Sequence, residues 1–454
     1  MKKTIILLIL SAYLLHTAGA QNSETYKTRA ANNKAYLIKD QNSNLWSQIG
    51  ISSDGLKFTL VPSGHDNHSR ETIMVNWRDV PKLVSRLENF GGNDVKEATW
   101  GTVQNYWAQN IVNQSAKWAP TVAYKEYPSS IEGLRVCIDP AGFSNTLAEA
   151  TRYEKKFVKI KAAVAGTKKD IAFYSAELND LTAVILEKKL LAAGAKPFRT
   201  KPLGISAVGK TFKEWYSTDL QKELGDAYNR GFITHDEFND YIEHKTDTFL
   251  IYNAFRRIEF RQRIWHANIE NPDVTISIQY NAADGNKRLP GGYLNPVEQN
   301  YSMAFIPGAF LGFSELERLT DKLEFLRLLL SPDIDKSARL AYLILKNQYD
   351  SLGIPPVSNE NTIIEDRYCV PTTYQGVYAR NLAMTRTVKG PVVYFQPLLQ
   401  DNLAEAKLLS KKDYVFKYSD DLSIKAPRRC EEVAEAIFQG IVQWVDENKL
   451  MAKK

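Results

Sequence analysis

The sequence predicts an α/β fold: three layers, with a mostly parallel central sheet flanked by helices, helical insertions and a smaller N-terminal region. Three observations predict it. Patterns of buried strands fall at residues 134–140, 274–280 and 392–395. Long helical patterns fall at 172–193, stopped by Gly194, and at 430–448. Strands that alternate with helices build parallel sheets. In such sheets ligands bind beyond the carboxyl ends of the strands. The polar residues that follow the three runs are therefore where a site is expected.

The N-terminus carries an export pattern. Lys2 and Lys3 precede an apolar stretch over residues 4–15, and Ala18-Gly19-Ala20 gives a small-residue cleavage site before Gln21. The stretch is shorter than the roughly 20 apolar residues that span a bilayer. Residues 1–20 are thus expected to be a signal peptide, and the mature chain to be periplasmic or secreted with no transmembrane segment. The chain has 454 residues, 44% hydrophobic and 24% charged, which is ordinary globular composition. Its net charge of +6 falls to +4 without Lys2 and Lys3, and no Lys/Arg block argues for nucleic acid. The three cysteines, Cys137, Cys369 and Cys430, are too few for a disulfide framework. One pair could form, and Cys137, inside an apolar run, suits a buried thiol.

Residues 21–130 read as a separate N-terminal region. Residues 35–38 and 56–61 have strand character, with Asp54-Gly55 as a turn. Residues 80–90 have helical periodicity. Trp77, Trp100, Trp107 and Trp118 cluster here, as core or as a glycan-binding or adhesion surface. His65 and His68, beside Asp66, could pair on a metal or lie in a solvated loop. The remaining span, 131–450, is expected to form one α/β domain, interrupted by helical insertions at about 205–256 and 303–349 beside the site.

Five blocks in this span resemble, in order, those of the zinc-dependent N-acetylmuramoyl-L-alanine amidases, which cut the bond between the peptidoglycan sugar and its stem peptide. Val136-Cys137-Ile138-Asp139-Pro140 resembles the first strand, which in the family runs into Gly-His-Gly-Gly. Ala176-Glu177-Leu178-Asn179 resembles the start of the glutamate helix. Arg263 to Asn268 with Ser277-Ile278-Gln279-Tyr280-Asn281 resembles the Arg…Ala-Asn…Ser-Ile-His-x-Asn block. Residues 377–382 and 390–396 resemble the block that ends in the catalytic glutamate, and residues 434–441 the closing helix. The resemblance implies an amidase-like hydrolase fold and a ligand-binding cleft formed by Asp139, Gly142, Glu177, Gln279, Asn281 and Gln396.

It does not imply the family's chemistry. The family holds zinc with His, Glu and His, leaves one position for water, and uses a second Glu as base. Here the first histidine position falls on Gly142 and the second on Gln279. The catalytic base position falls on Gln396, which accepts no proton at neutral pH. Glu177 is the only metal ligand retained. A structural zinc ligand is worth on the order of 3 kcal/mol, so losing two weakens binding by about four orders of magnitude. Losing the base costs roughly a further 10²–10⁴ in rate. His266, His235 and His244 read as packing or surface histidines, not replacements. The expectation is a pseudoenzyme without a cofactor, binding peptidoglycan fragments or another envelope protein. An active amidase with non-standard zinc ligands, or a glycan-binding protein working through the N-terminal region, are the alternatives.

Overall fold

The computed structural model describes residues 24–60, 71–88, 128–316, 319–358 and 368–452. The expected signal peptide, His65, His68, Trp100, Trp107 and Trp118 lie outside them. No helix among the described residues is long and apolar enough to cross a membrane.

The N-terminal residues form a helix over 24–37 and an antiparallel sheet of β1 (Ile49–Ile51), β2 (Gly55–Leu60) and β3 (Glu71–Asn76), followed by the Val80–Glu88 helix. The strand expected at residues 35–38 does not form. Residues 35–37 close the first helix instead, because Tyr26, Ala30, Asn33 and Leu37 recur at helical spacing and bury one face, and Ile38 makes an isolated bridge to Phe310. Asn33 fastens that face by donating to the carbonyls of Leu328, Leu329 and Ser331. Phe58 stacks on Phe325 at 5.6 Å. Trp77 is buried, with its indole N–H on the Ser52 carbonyl, so it is core. This region shares one apolar cluster with the α/β part.

The central sheet runs in the order β10-β11-β9-β12-β8-β4-β7. Its strands are β4 (Arg135–Pro140), β7 (Lys196–Arg199), β8 (Val274–Ile278), β9 (Met303–Pro307), β10 (Cys369–Pro371), β11 (Val377–Arg380) and β12 (Val392–Gln396). The junctions β11–β9, β12–β8, β8–β4 and β4–β7 are parallel, whereas β12–β9 and β10–β11 are antiparallel. Period-2 alternation gives the sheet two unlike faces. Val136, Ile138, Ile276, Val393 and Phe395 face an apolar layer of the Ser175–Ala192, Asp333–Leu352 and Arg428–Ala452 helices. Cys137, Asp139 and Ser277 face the Arg256–Ile269 helix. The sheet is mostly parallel and flanked by helices, as the sequence predicts.

Three expectations change. The run over 172–193 begins as a strand, β6 (Ile171–Tyr174), paired with β5 (Phe157–Ile160), and the helix starts only at Ser175. Residues 303–349 are not a helical decoration. Their first five form β9, inside the sheet, and the Asp333–Leu352 helix is one of the fold's own layers. The cysteines are three free thiols buried in three separate apolar clusters, so no two of them pair. The insertion at 205–256 is helical, with the segments Phe212–Ser217, Leu220–Asn229, His235–Glu243 and Asp247–Leu250 around its own aromatic core.

Candidate functional site

The predicted site residues diverge at the strand ends. Asp139 does not face a cleft. Its carboxylate is fully buried and accepts from Arg263 at 3.0 Å on both oxygens, from Thr200 Oγ1 at 2.6 Å and from Ser277 Oγ at 2.6 Å. Arg263 also pairs with buried Glu259. Burial pushes the Glu259 carboxyl up, partly offset by Arg263. This network fastens β4, β8 and the Arg256–Ile269 helix beneath the site. His266 belongs to it: one ring nitrogen meets the Thr200 carbonyl at 2.6 Å and the other Gln262 at 2.7 Å. His235 and His244 make local contacts with Asn239 and Asp240 on an exposed helix.

Above this floor the chain turns at Gly142 with φ +93°, a conformation that suits glycine. A Cβ there would stand 2.9 Å from Ala176 Cβ and 3.1 Å from Glu154 Oε1. Position 142 therefore has no room for an inward histidine. The following Phe143 packs edge-on to Phe255 of the helical insertion at 5.3 Å. The Glu154 carboxylate accepts from the backbone N–H of Phe143 at 3.2 Å and of Ser144 at 3.0 Å, and so holds the turn.

Gln279 stands just past β8 and is buried. Its amide oxygen accepts from Lys156 Nζ at 3.0 Å and from the Tyr394 hydroxyl at 3.2 Å, while its amide nitrogen donates to the Tyr280 carbonyl at 2.7 Å. Burial lowers the Lys156 pKa, the Glu154 carboxylate opposes that shift, and Arg256 and Arg263 reinforce it. Burial lifts Tyr394 to about 12, which keeps its hydroxyl a donor. Glu177, in the first turn of the Ser175–Ala192 helix, pairs with Lys412 near the surface. Asn179, two residues on, spans two strand ends. It donates to the Ala141 carbonyl at 2.6 Å and accepts from the Tyr280 N–H at 2.8 Å.

Asn281 bridges to Leu399 and accepts from the Gln400 N–H at 2.8 Å through its own carbonyl. Gln396 closes β12, half-buried, in register with Met303. The structure thus brings Gly142 beside the Glu177 helix, and sets Gln279 against Tyr394 of the strand that Gln396 ends. It does not bring Asp139 among them. Lys156, Glu154, Asn179 and Tyr394 hold the site together, and sequence reasoning does not single them out. Tyr394 is within its reach, since period 2 puts it on the same side of β12 as Gln396. Lys156 and Glu154 precede an ordinary short strand, and nothing in their spacing marks them.

No family model matches the sequence, and no curated protein does either. Among solved structures, the chain is similar to the CwlD amidase from Clostridioides difficile in complex with the GerS lipoprotein. That match has 12% identity and a TM-score of 0.36, covering 69% of this chain and 100% of that one. It is similar to the N-acetylmuramyl-L-alanine amidase Ami1 from Mycobacterium smegmatis, with 12% identity, 70% and 99% coverage and a TM-score of 0.37. The catalytic domain of CwlV, an N-acetylmuramoyl-L-alanine amidase from Bacillus (Paenibacillus) polymyxa var. colistinus, matches at 14% identity, 69% and 98% coverage and a TM-score of 0.34.

Zinc, which the resembled family holds, does not fit these residues. Position 142 has no side chain and no room for one. The Gln279 oxygen is taken by an ammonium and a hydroxyl. Glu177, the one carboxylate ligand left, is held by a second ammonium. Among the described residues, no three His, Cys, Asp or Glu side chains group to hold a metal ion. What the arrangement offers is hydrogen bonding, with an amide, a phenol and paired charges at the ends of parallel strands.

Proposed function

We propose that this is an exported protein on an N-acetylmuramoyl-L-alanine amidase-like scaffold that binds or scaffolds in the cell envelope without cutting peptidoglycan. The observation that carries the reading is Gln279. At the second histidine position stands an amide whose oxygen is already bound by Lys156 and Tyr394. The change at Gly142 and the amide at Gln396 point the same way, since one supplies no ligand and the other no base. Amides both donate and accept, which suits sugar hydroxyls and peptide groups. The ligand class is therefore peptidoglycan fragments, with another envelope protein as the scaffolding partner. The export pattern at residues 1–20 agrees with that address.

Metal analysis of the purified mature chain, with a peptidoglycan pull-down, tests this. The expected result is no stoichiometric zinc, no release of stem peptide, and retention on peptidoglycan above that of an unrelated exported protein of similar charge. One zinc per chain, lost in Glu177→Ala and accompanied by stem-peptide release, would show an active amidase with unusual ligands and overturn the proposal. Retention no better than the control would remove the binding part of it.

A further inference from the structure

We infer that the Lys156 side chain stands where the resembled family would hold its metal, as a cation tethered to the chain itself. The inference rests on the reading of this site as a zinc-free one, and extends it by naming what replaces the ion. Lys156 Nζ lies 3.0 Å from Gln279 Oε1, the side chain at the second histidine position. Glu154 stands two residues before Lys156, and its Oε1 lies 3.1 Å from where a Cβ on Gly142, the first histidine position, would be. The ammonium thus bonds the side chain at the second former histidine position, while the Glu154 carboxylate fills the space beside the first.

The connections explain what such a cation does. Glu154 holds the turn after β4 through the N–H groups of Phe143 and Ser144. Gln279 stands at the end of β8, and Tyr394 on β12 meets the same amide oxygen. The Lys156 carbonyl accepts from the Ser175 N–H at 3.1 Å, at the start of the glutamate helix. Glu154 and Lys156 together therefore tie the turn after β4, the end of β8 and the start of the glutamate helix. It also keeps metal out, because a divalent cation there would meet a fixed like charge at close range. The cleft is organised without cofactor, and its binding is insensitive to chelators.

Zinc uptake by four proteins tests the inference: the natural mature chain, Lys156→Ala, Gln279→His, and the two substitutions together. Each is checked for folding by far-UV circular dichroism and thermal melting. Zinc is measured by equilibrium dialysis and metal analysis. The expected result is that only the doubly substituted chain takes up stoichiometric zinc, through the introduced imidazole and neighbouring carboxylates, and that adding Glu154→Gln weakens the uptake. Equal uptake by Gln279→His alone, or none by a folded double variant, overturns the inference.

Should the double variant not fold, the unfolding free energies of Glu154→Gln, Lys156→Met and their combination decide. Non-additive effects support a Lys156–Glu154 link, and additive ones overturn it. The two failures are distinguishable. Zinc in the natural chain sinks the proposed function and this inference with it. Zinc in Gln279→His, with none in the natural chain, sinks only this inference.

Discussion

Two layers of charge lie one above the other at the carboxyl ends of β4 and β8, and they are built differently. Beneath the strands, Asp139 is fully buried and takes its bonds from a guanidinium and two hydroxyls. At the strand ends, each remaining ligand-type side chain is met by one lysine: Gln279 by Lys156 and Glu177 by Lys412. The lower layer is multiply bonded and sealed from water, so it is scaffold. The upper layer carries one ammonium at Gln279 and one at Glu177, and opens to water at Glu177. A polar group left without a partner costs most where water cannot reach it. The lower layer is therefore held fast by folding itself, while the Glu177 end of the upper one, which water reaches, is held less tightly.

The sharpest way to break this comparison is at Asp139. Asp139→Ala leaves the Arg263 guanidinium buried without its main partner. The expected loss is about 3–5 kcal/mol of unfolding free energy, read from urea denaturation. Asp139→Asn should cost less, because an amide oxygen still accepts from Ser277 and Thr200. A loss below about 1 kcal/mol for the alanine variant would mean that the floor is not the scaffold described. Asn179→Ala comes next. It frees the Ala141 carbonyl and the Tyr280 N–H at once, and should cost about 2–3 kcal/mol in the same measurement.

The lower layer and its strands are far more legible in the sequence than the upper one. β4, β8 and β12 announce themselves as apolar runs because both faces of an internal parallel strand are covered. β9 is hidden, since Met303–Pro307 is short and sits among long helical patterns. The first helix is hidden too, because its last residues, Ala35 to Leu37, continue into Ile38 as a short apolar run that reads equally well as a strand. At the site, the substitutions Gly142, Gln279 and Gln396 are legible as departures from a pattern. What bonds to these positions is not. Lys156 meets Gln279 across 123 residues of sequence, and a contact between two charged or polar side chains so far apart leaves no periodic trace. Asp139 is misplaced by sequence reasoning for a related reason. Alternation along a strand fixes that a residue changes face, but not which face carries the site.

A smaller effect tests whether the apolar layer on the other face depends on charge at all. Lys189 bonds Glu431 and Glu435 at 2.7 Å, joining the Ser175–Ala192 and Arg428–Ala452 helices. Burial raises the Glu435 carboxyl, but hydrogen bonds from Lys189 and Gln439 outweigh it and leave it below its ordinary 4.5. Burial lowers Lys189, and its two carboxylate partners outweigh that and leave it above 10.5. The depressed carboxyl contributes stability above pH 4.5 that is lost as pH falls through its folded value. The raised ammonium contributes stability below pH 10.5 that is lost as pH rises through its folded value. The stability difference between the natural chain and Lys189→Ala should therefore be flat around neutrality and shrink at both extremes. A difference unchanged between about pH 3 and 7 would remove the charge from the account of this contact.

The least costly substitution sharpens the comparison most directly. The Glu177 and Lys412 side chains are 31% and 44% exposed, so their pair is screened by water and salt. Lys412→Ala should change unfolding free energy by about 0–1 kcal/mol, and the change should vanish at roughly 1 M salt, where the screening length is about 3 Å. The two layers predict opposite responses to salt, because Asp139 and Arg263 are sealed from it and the Asp139→Ala cost should persist. If Lys412→Ala were as damaging as Asp139→Ala and equally indifferent to salt, Glu177 would belong to the scaffold. A carboxylate held there by folding would be a structural group in its own right.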